Sequence, residues 1–114
     1  MSLATTLRSN GLTNVKTYSD SREVMSAVSA ADPEVVLLDL SMPHITGDRL
    51  LREIHDSFPH IPVIIITGTN EVRAAVECMK AGAFDYMVKA VEESRLVSGV
   101  RRAMEIRKLQ RQCG

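Results

Sequence analysis

Three polar residues, each closing an apolar run, are the groups in this chain best placed to do chemistry. Asp39 follows Val35-Val36-Leu37-Leu38, Thr67 follows Val63-Ile64-Ile65-Ile66, and Lys89 follows the stretch Phe84 to Val88. A carboxylate, a hydroxyl and an ammonium are reactive-type side chains, and an unpaired charge at the end of a buried run is expensive to keep there. In open parallel α/β sheets, ligands and chemistry gather at the carboxyl ends of the strands. Three such runs in one sheet bring the three groups to one rim. Taken singly, each has a plainer alternative: Asp39 caps a turn or the next helix, Thr67 ends a strand or forms a turn, and Lys89 is a solvated lysine. A lysine that ends an apolar strand is poorly explained by the last of these.

The elements that must position this trio alternate between strand-like and helix-like patterns, which argues for an α/β domain with a mostly parallel sheet. Residues 3 to 10 read as the end of a helix stopped by Asn10-Gly11. Val15 to Tyr18 is a short strand, and Ser19 or Asp20 can cap a helix that runs to about Ala31, before Asp32-Pro33. Val35 to Leu38 is a buried strand. Thr46-Gly47 opens a helix through Phe58, with Leu50, Leu51, Ile54 and Phe58 on one face. Val63 to Ile66 is a second continuous apolar strand. Asn70 caps a helix whose Val72, Ala75, Val76 and Met79 are expected to face inward until Gly82. Phe84 to Val88 is a further strand, and Glu92 to about Gln112 is a long helix with an apolar stripe at Leu96, Val100, Ala103, Ile106 and Leu109.

Composition narrows the functional classes. At 114 residues the chain is one domain, and 45% hydrophobic residues suffice for a proper core. Fourteen basic and fourteen acidic residues cancel, so charge gives no global case for nucleic-acid binding. Arg95, Arg101, Arg102, Arg107, Lys108 and Arg111 crowd the last helix, where the helix dipole favours cations near the carboxyl end. They read as a solvated helix end rather than a nucleic-acid patch. Cys78 and Cys113 show no disulfide or zinc spacing, and His44, His55 and His60 no metal-like spacing. The six methionines read as core filler. No apolar stretch approaches membrane-spanning length and no signal peptide opens the chain, so a cytoplasmic location with no membrane partner is expected.

Several segments in fixed order carry a resemblance to a known family: Asp39 with Pro43 and Gly47 downstream, Thr67-Gly68 after an Ile-rich strand, and Ala81-Gly82-Ala83-Phe84-Asp85-Tyr86 leading to Lys89. From about Ala4 to its end, the chain resembles a response-regulator receiver domain of two-component signalling. The resemblance implies a flavodoxin-like fold with parallel strand order 2-1-3-4-5. It implies that Asp39 is the phosphoacceptor, taking a phosphoryl group from a sensor histidine kinase or phosphotransfer protein. Attack of one anion on another needs positive charge near the phosphoryl oxygens, which makes Lys89 the implied cation. Thr67 would donate its hydroxyl to a phosphoryl oxygen, Gly68 would let backbone N–H groups approach, and Tyr86 would be the aromatic whose rotamer follows Thr67. The last helix is longer than the receiver core needs, as though it began a linker to an output domain.

The chain also departs from that family. Receivers open with a strand ending in two adjacent acids, which hold Mg²⁺ together with the acceptor; no such strand or pair is present. Of the implied protein ligands only Asp39 and the backbone carbonyl of Ser41 remain, so Mg²⁺ is expected to bind weakly or not at all. In the family order the absent strand is interior, so either Val15–Tyr18 moves over to pair with Val35–Leu38 or another chain fills the gap. The expectation drawn from this is a homo-oligomer. Ala90 stands where receivers usually have a proline, so the Lys89–Ala90 bond is expected to be trans. Three functions are thus weighed. The first is a phosphoacceptor that switches a protein-interaction surface, and the second is a degenerate module that binds its partner regardless of phosphorylation. The third is a phosphatase- or dehalogenase-type enzyme, which needs a second Asp where this chain has Ser41; no enzymatic activity is expected.

Overall fold

The computed structural model describes residues 3–12, 15–18, 26–30, 33–39, 47–68, 72–89 and 91–113. The elements alternate as the sequence pattern requires. Helix α1 (Leu3–Ser9) is followed by β1 (Val15–Tyr18), helical residues 26–30 (α2), β2 (Val35–Asp39) and α3 (Gly47–Ser57). Strand β3 (Val63–Thr67), α4 (Val72–Lys80), β4 (Asp85–Val88) and α5 (Glu93–Cys113) complete the chain. The expected caps at Ser19, Asp20, Thr46 and Asn70 lie outside the described residues, as do Ser41, Pro43, His44 and Ala90.

All four strands are parallel and lie in the order β1-β2-β3-β4. Val15 pairs with Val35 and Tyr18 with Leu38; Val36 pairs with Val63 and Asp39 with Ile66; Ile64 pairs with Asp85 and Thr67 with Val88. This is the order 2-1-3-4-5 with its first strand absent: family strands 2, 3, 4 and 5 are β1, β2, β3 and β4 here. Of the two ways to close the gap, β1 takes the first and pairs directly with β2. No inner edge is left open among the described strands, so the sheet itself gives no reason for a second copy.

Successive strands that advance in one direction, each joined by a right-handed crossover, must carry their helices on one face. The packing follows that rule. Val28 of α2, Leu51 and Ile54 of α3, and Cys78 of α4 share a buried cluster with Val36, Leu38, Val63 and Ile65. The opposite face is covered by α1 and α5, where Leu7, Leu96, Val100 and Ala103 pack on Val35, Leu37, Ile64, Ile66 and Met87. Strand β3 is buried along its whole length, from Val63 to Thr67. Covered on both faces, such a strand reads as an unbroken β-branched run rather than an alternating one.

Two helices end in the same way. At the end of α1 the Leu12 N–H donates to the Leu7 carbonyl (2.9 Å) and the Gly11 N–H to that of Arg8 (3.0 Å), with Gly11 at φ +79°. After α4 the Ala83 N–H donates to Cys78 (3.1 Å) and the Gly82 N–H to Met79 (3.2 Å), with Gly82 at φ +110°. These paired bonds satisfy carbonyls that the helix leaves orphaned, and the left-handed residue they need is most easily glycine. Gly82 has a second constraint: an added Cβ would lie 2.9 Å from Cγ of His55 on α3.

The helical faces depart from expectation at two places. Val72, Val76 and Met79 do not face inward; they are 79%, 44% and 47% exposed, and among the described side chains of α4 the buried one is Cys78. In α5, Ile106 and Leu109 are exposed while Arg107 is buried. Leu96, Val100, Ala103 and Arg107 are spaced by four, three and four residues, so Arg107 continues the inward seam. At its level the seam has passed the start of β2, and what faces it is the Pro33 carbonyl, to which Nη1 of Arg107 donates.

Candidate functional site

The candidate rim is built by the register of the sheet. Asp39 is the last residue of β2 and stands opposite Ile66, so Thr67 lies one residue further along the adjoining strand. Thr67 in turn stands opposite Val88, and the Lys89 N–H donates to the Thr67 carbonyl at 2.7 Å. The three strand-closing residues therefore occupy adjacent positions at the carboxyl ends of three neighbouring parallel strands. Thr67 is buried and Lys89 is exposed at the lip. Beside Gly68, an added Cβ would meet none of the described atoms within 4 Å. Ser41 lies outside the described residues.

Tyr86 stands opposite Ile65, half-buried, and packs against the cluster formed with α2, α3 and α4. Its neighbour Met87 belongs to the opposite cluster, under α5. This alternation places Tyr86 and Val88 on the α4 side of the sheet edge. There they line a groove of about 520 Å³ with Val72, Ala75, Val76, Met79 and Lys80. The groove is the feature that helical periodicity misplaced. Helix α4 offers two small or apolar rows, one through Val72, Val76 and Met79 and one through Cys78 and, just past its end, Ala81, and spacing alone does not say which faces the sheet.

Two further polar contacts escaped the sequence reading. Asp85, the first residue of β4, receives a forked ion pair from Arg95 in the first turn of α5, with Nη1 3.0 Å from Oδ2 and Nη2 3.2 Å from Oδ1. A cation in the first turn works against the helix dipole, and this was the signal available in sequence. Asn10, which ends α1, donates its side-chain amide to Glu93 at 3.0 Å and so joins α1 to the start of α5.

For a divalent metal the donor set is thin. Mg²⁺ takes six oxygens in near-octahedral geometry, and the residues assigned to it are one carboxylate, Asp39, and one carbonyl, that of Ser41. No group of three His, Cys, Asp or Glu side chains able to hold a metal occurs among the described residues. One carboxylate and one carbonyl are fewer protein donors than a Mg²⁺ site of the family type uses. Nor does the strand order reverse among the four described strands, whereas crevices for ligands in open α/β sheets form where it does. No helix among the described residues is long and apolar enough to cross a membrane.

Comparison with known proteins agrees with this architecture. A family profile for the response regulator receiver domain matches residues 1–101. The C4-dicarboxylate transport transcriptional regulatory protein DctD of Pseudomonas aeruginosa is 41% identical over 95 residues, 83% of this chain and 21% of that protein. The DNA-binding transcriptional regulator NtrC of Salmonella typhimurium is 38% identical over 88 residues, 77% of this chain and 19% of that protein. The chain thus spans about a fifth of the length of these two relatives. Among solved structures, NtrX from Brucella abortus in complex with ATP superposes with a TM-score of 0.83 and 31% identity, covering 96% of this chain and 24% of that one. The flavodoxin-like α/β fold is therefore shown. The expectation that nucleic acid is no partner loses its support, because NtrC is by name a DNA-binding regulator.

Proposed function

Because the chain belongs to the response regulator receiver domain family, we propose that it is a phosphoacceptor module of a two-component relay, with Asp39 as the residue modified. The observation that carries this reading is the rim: Asp39, Thr67 and Lys89 close three adjacent parallel strands in continuous register. A phosphoryl group on Asp39 would add anionic charge to a rim on which Thr67 offers a hydroxyl donor and Lys89 a cation; preorganised charge of this kind is what phosphoryl transfer requires of a protein. On this reading the backbone N–H at Gly68, next to Thr67, is a further donor to the same oxygens. The donor on this reading is a sensor histidine kinase or phosphotransfer protein in the cytoplasm. The phosphoryl group leaves its histidine nitrogen as one Asp39 oxygen bonds to phosphorus, and the chain catalyses no turnover of its own.

The surface so switched is the α4–β4 groove. Its exposed Val72, Val76 and Met79 form an apolar row beside Tyr86 and Val88, and exposed apolar patches of this kind mark interaction sites. An output domain, as in the transcriptional regulators resembled, is the partner this reading assigns to the groove. Association between copies would use that row, since the described strands leave no inner edge to fill.

A second reading has its own support. The strand order without reversal and the thin donor set for Mg²⁺ favour a module that offers the same groove whether or not Asp39 is modified. Treating the chain with acetyl phosphate and weighing the intact protein separates the two. The first reading requires one phosphoryl adduct, absent in Asp39→Asn. The second requires a groove that binds its partner equally in both proteins, with or without an adduct.

A further inference from the structure

We propose that Asp85 and Arg95 are positioning residues for Tyr86, tying the backbone of the aromatic to the start of α5 through one shared carboxylate. Oδ1 of Asp85 accepts the Tyr86 backbone N–H at 2.7 Å and also lies 3.2 Å from Nη2 of Arg95, while Oδ2 takes Nη1 at 3.0 Å. Both arms of the guanidinium are thus engaged, in the planar fork that fixes orientation as well as distance. Helix and strand are close along this seam. A Cβ added at Gly99 of α5 would lie 2.5 Å from Cε of Met87 and 3.7 Å from Oδ2 of Asp85. A small cleft between the strand and the helix is lined by Tyr86, Met87, Val88, Val91, Glu92 and Arg95, so the arginine of the fork and the aromatic it positions border the same space.

The pair is not there chiefly for stability. Arg95 is 46% exposed, and ion pairs this open to solvent add little to folding free energy. Its place in the first turn of α5 also opposes the helix dipole. What the fork does supply is a rigid relation: a shift of Tyr86 along β4 moves the acceptor that Arg95 grips, and a tilt of α5 pulls on the same oxygen that holds the Tyr86 N–H. The two sides of β4, the α4 groove and the α5 cleft, are joined through Asp85. This inference deepens the reading of Tyr86 as a residue that responds to the acceptor.

Amide and aromatic NMR spectra of the full chain test it. In Arg95→Gln, the Tyr86 amide and ring signals shift more than any amide of β3, while the unfolding midpoint barely moves. Arg95→Lys keeps the charge without the fork and gives a smaller shift of the same signals. Exchanging the two residues (Asp85→Arg with Arg95→Asp) restores the ion pair, but arginine has no acceptor for the Tyr86 N–H. The first turn of α5 then recovers its signals and Tyr86 does not. Arg95→Gln and Arg95→Lys spectra in which Tyr86 shifts no more than β3 overturn the proposal, as does full recovery of Tyr86 in the exchange. If Arg95→Gln fails to fold, Arg95→Lys carries the same comparison. Beryllofluoride added to the unsubstituted chain tests the underlying reading separately: a Tyr86 that ignores it refutes the switch role, whatever the variants show about positioning.

Discussion

Val72→Gln tests the reassigned face of α4 most economically. Val72 is 79% exposed, so only about a fifth of its surface is buried. Full burial of a valine side chain is worth ~1.5–3 kcal/mol, which leaves about 0.4 kcal/mol to be lost at this position. Glutamine is the better helix former by a few tenths of a kcal/mol, which offsets most of that loss. The net change expected in urea unfolding is within about 0.5 kcal/mol, as for surface substitutions generally. Had Val72 faced the sheet, the same change would bury an amide without a partner and forfeit the apolar contact, for a loss above about 3 kcal/mol. Met79→Gln, at 47% exposure, falls between, at roughly 1 kcal/mol. A Val72→Gln loss of 2 kcal/mol or more would refute the exposed row and, with it, the groove as an interaction surface.

Other substitutions probe the fold's less obvious supports. Arg107→Met removes the donor to the buried Pro33 carbonyl and should lower unfolding free energy by about 1–3 kcal/mol, the penalty of an orphaned buried acceptor; a neutral result would mean that the arginine stem alone holds the end of α5. Gly82→Ala meets both a positive φ and the His55 ring, and backbone strain of this type costs about 1–3 kcal/mol. Adding His55→Ala should recover only the steric part, and full recovery in thermal melts would show that φ +110° carries no penalty.

What could be read from the sequence divides along physical lines. The three strand-closing residues were legible because buried parallel strands tolerate little but apolar residues, so Asp39, Thr67 and Lys89 stand out against their runs. The end of α1 was legible because a left-handed cap at Gly11 has a local chemical signature. The inward face of α4 was not, because Cys78 and Ala81 offer the sheet as suitable a row as Val72, Val76 and Met79, and only tertiary packing decides. Arg107 was misjudged for a different reason. Charge implies exposure until a helix runs past the sheet it covers and meets a lone carbonyl. The pairing of β1 with β2 was one of two closures the sequence left open, and no periodicity within either strand chose between them.

Everything proposed for this rim depends on Asp39 accepting a phosphoryl group beside Thr67 and Lys89. The direct measurement is the intact mass of the full chain after exposure to acetyl phosphate with Mg²⁺ in the buffer, beside Asp39→Asn treated identically. A single phosphoryl adduct, removed by hydroxylamine and absent from the variant, is the result expected. An unmodified chain, or an adduct that persists in Asp39→Asn, would contradict it.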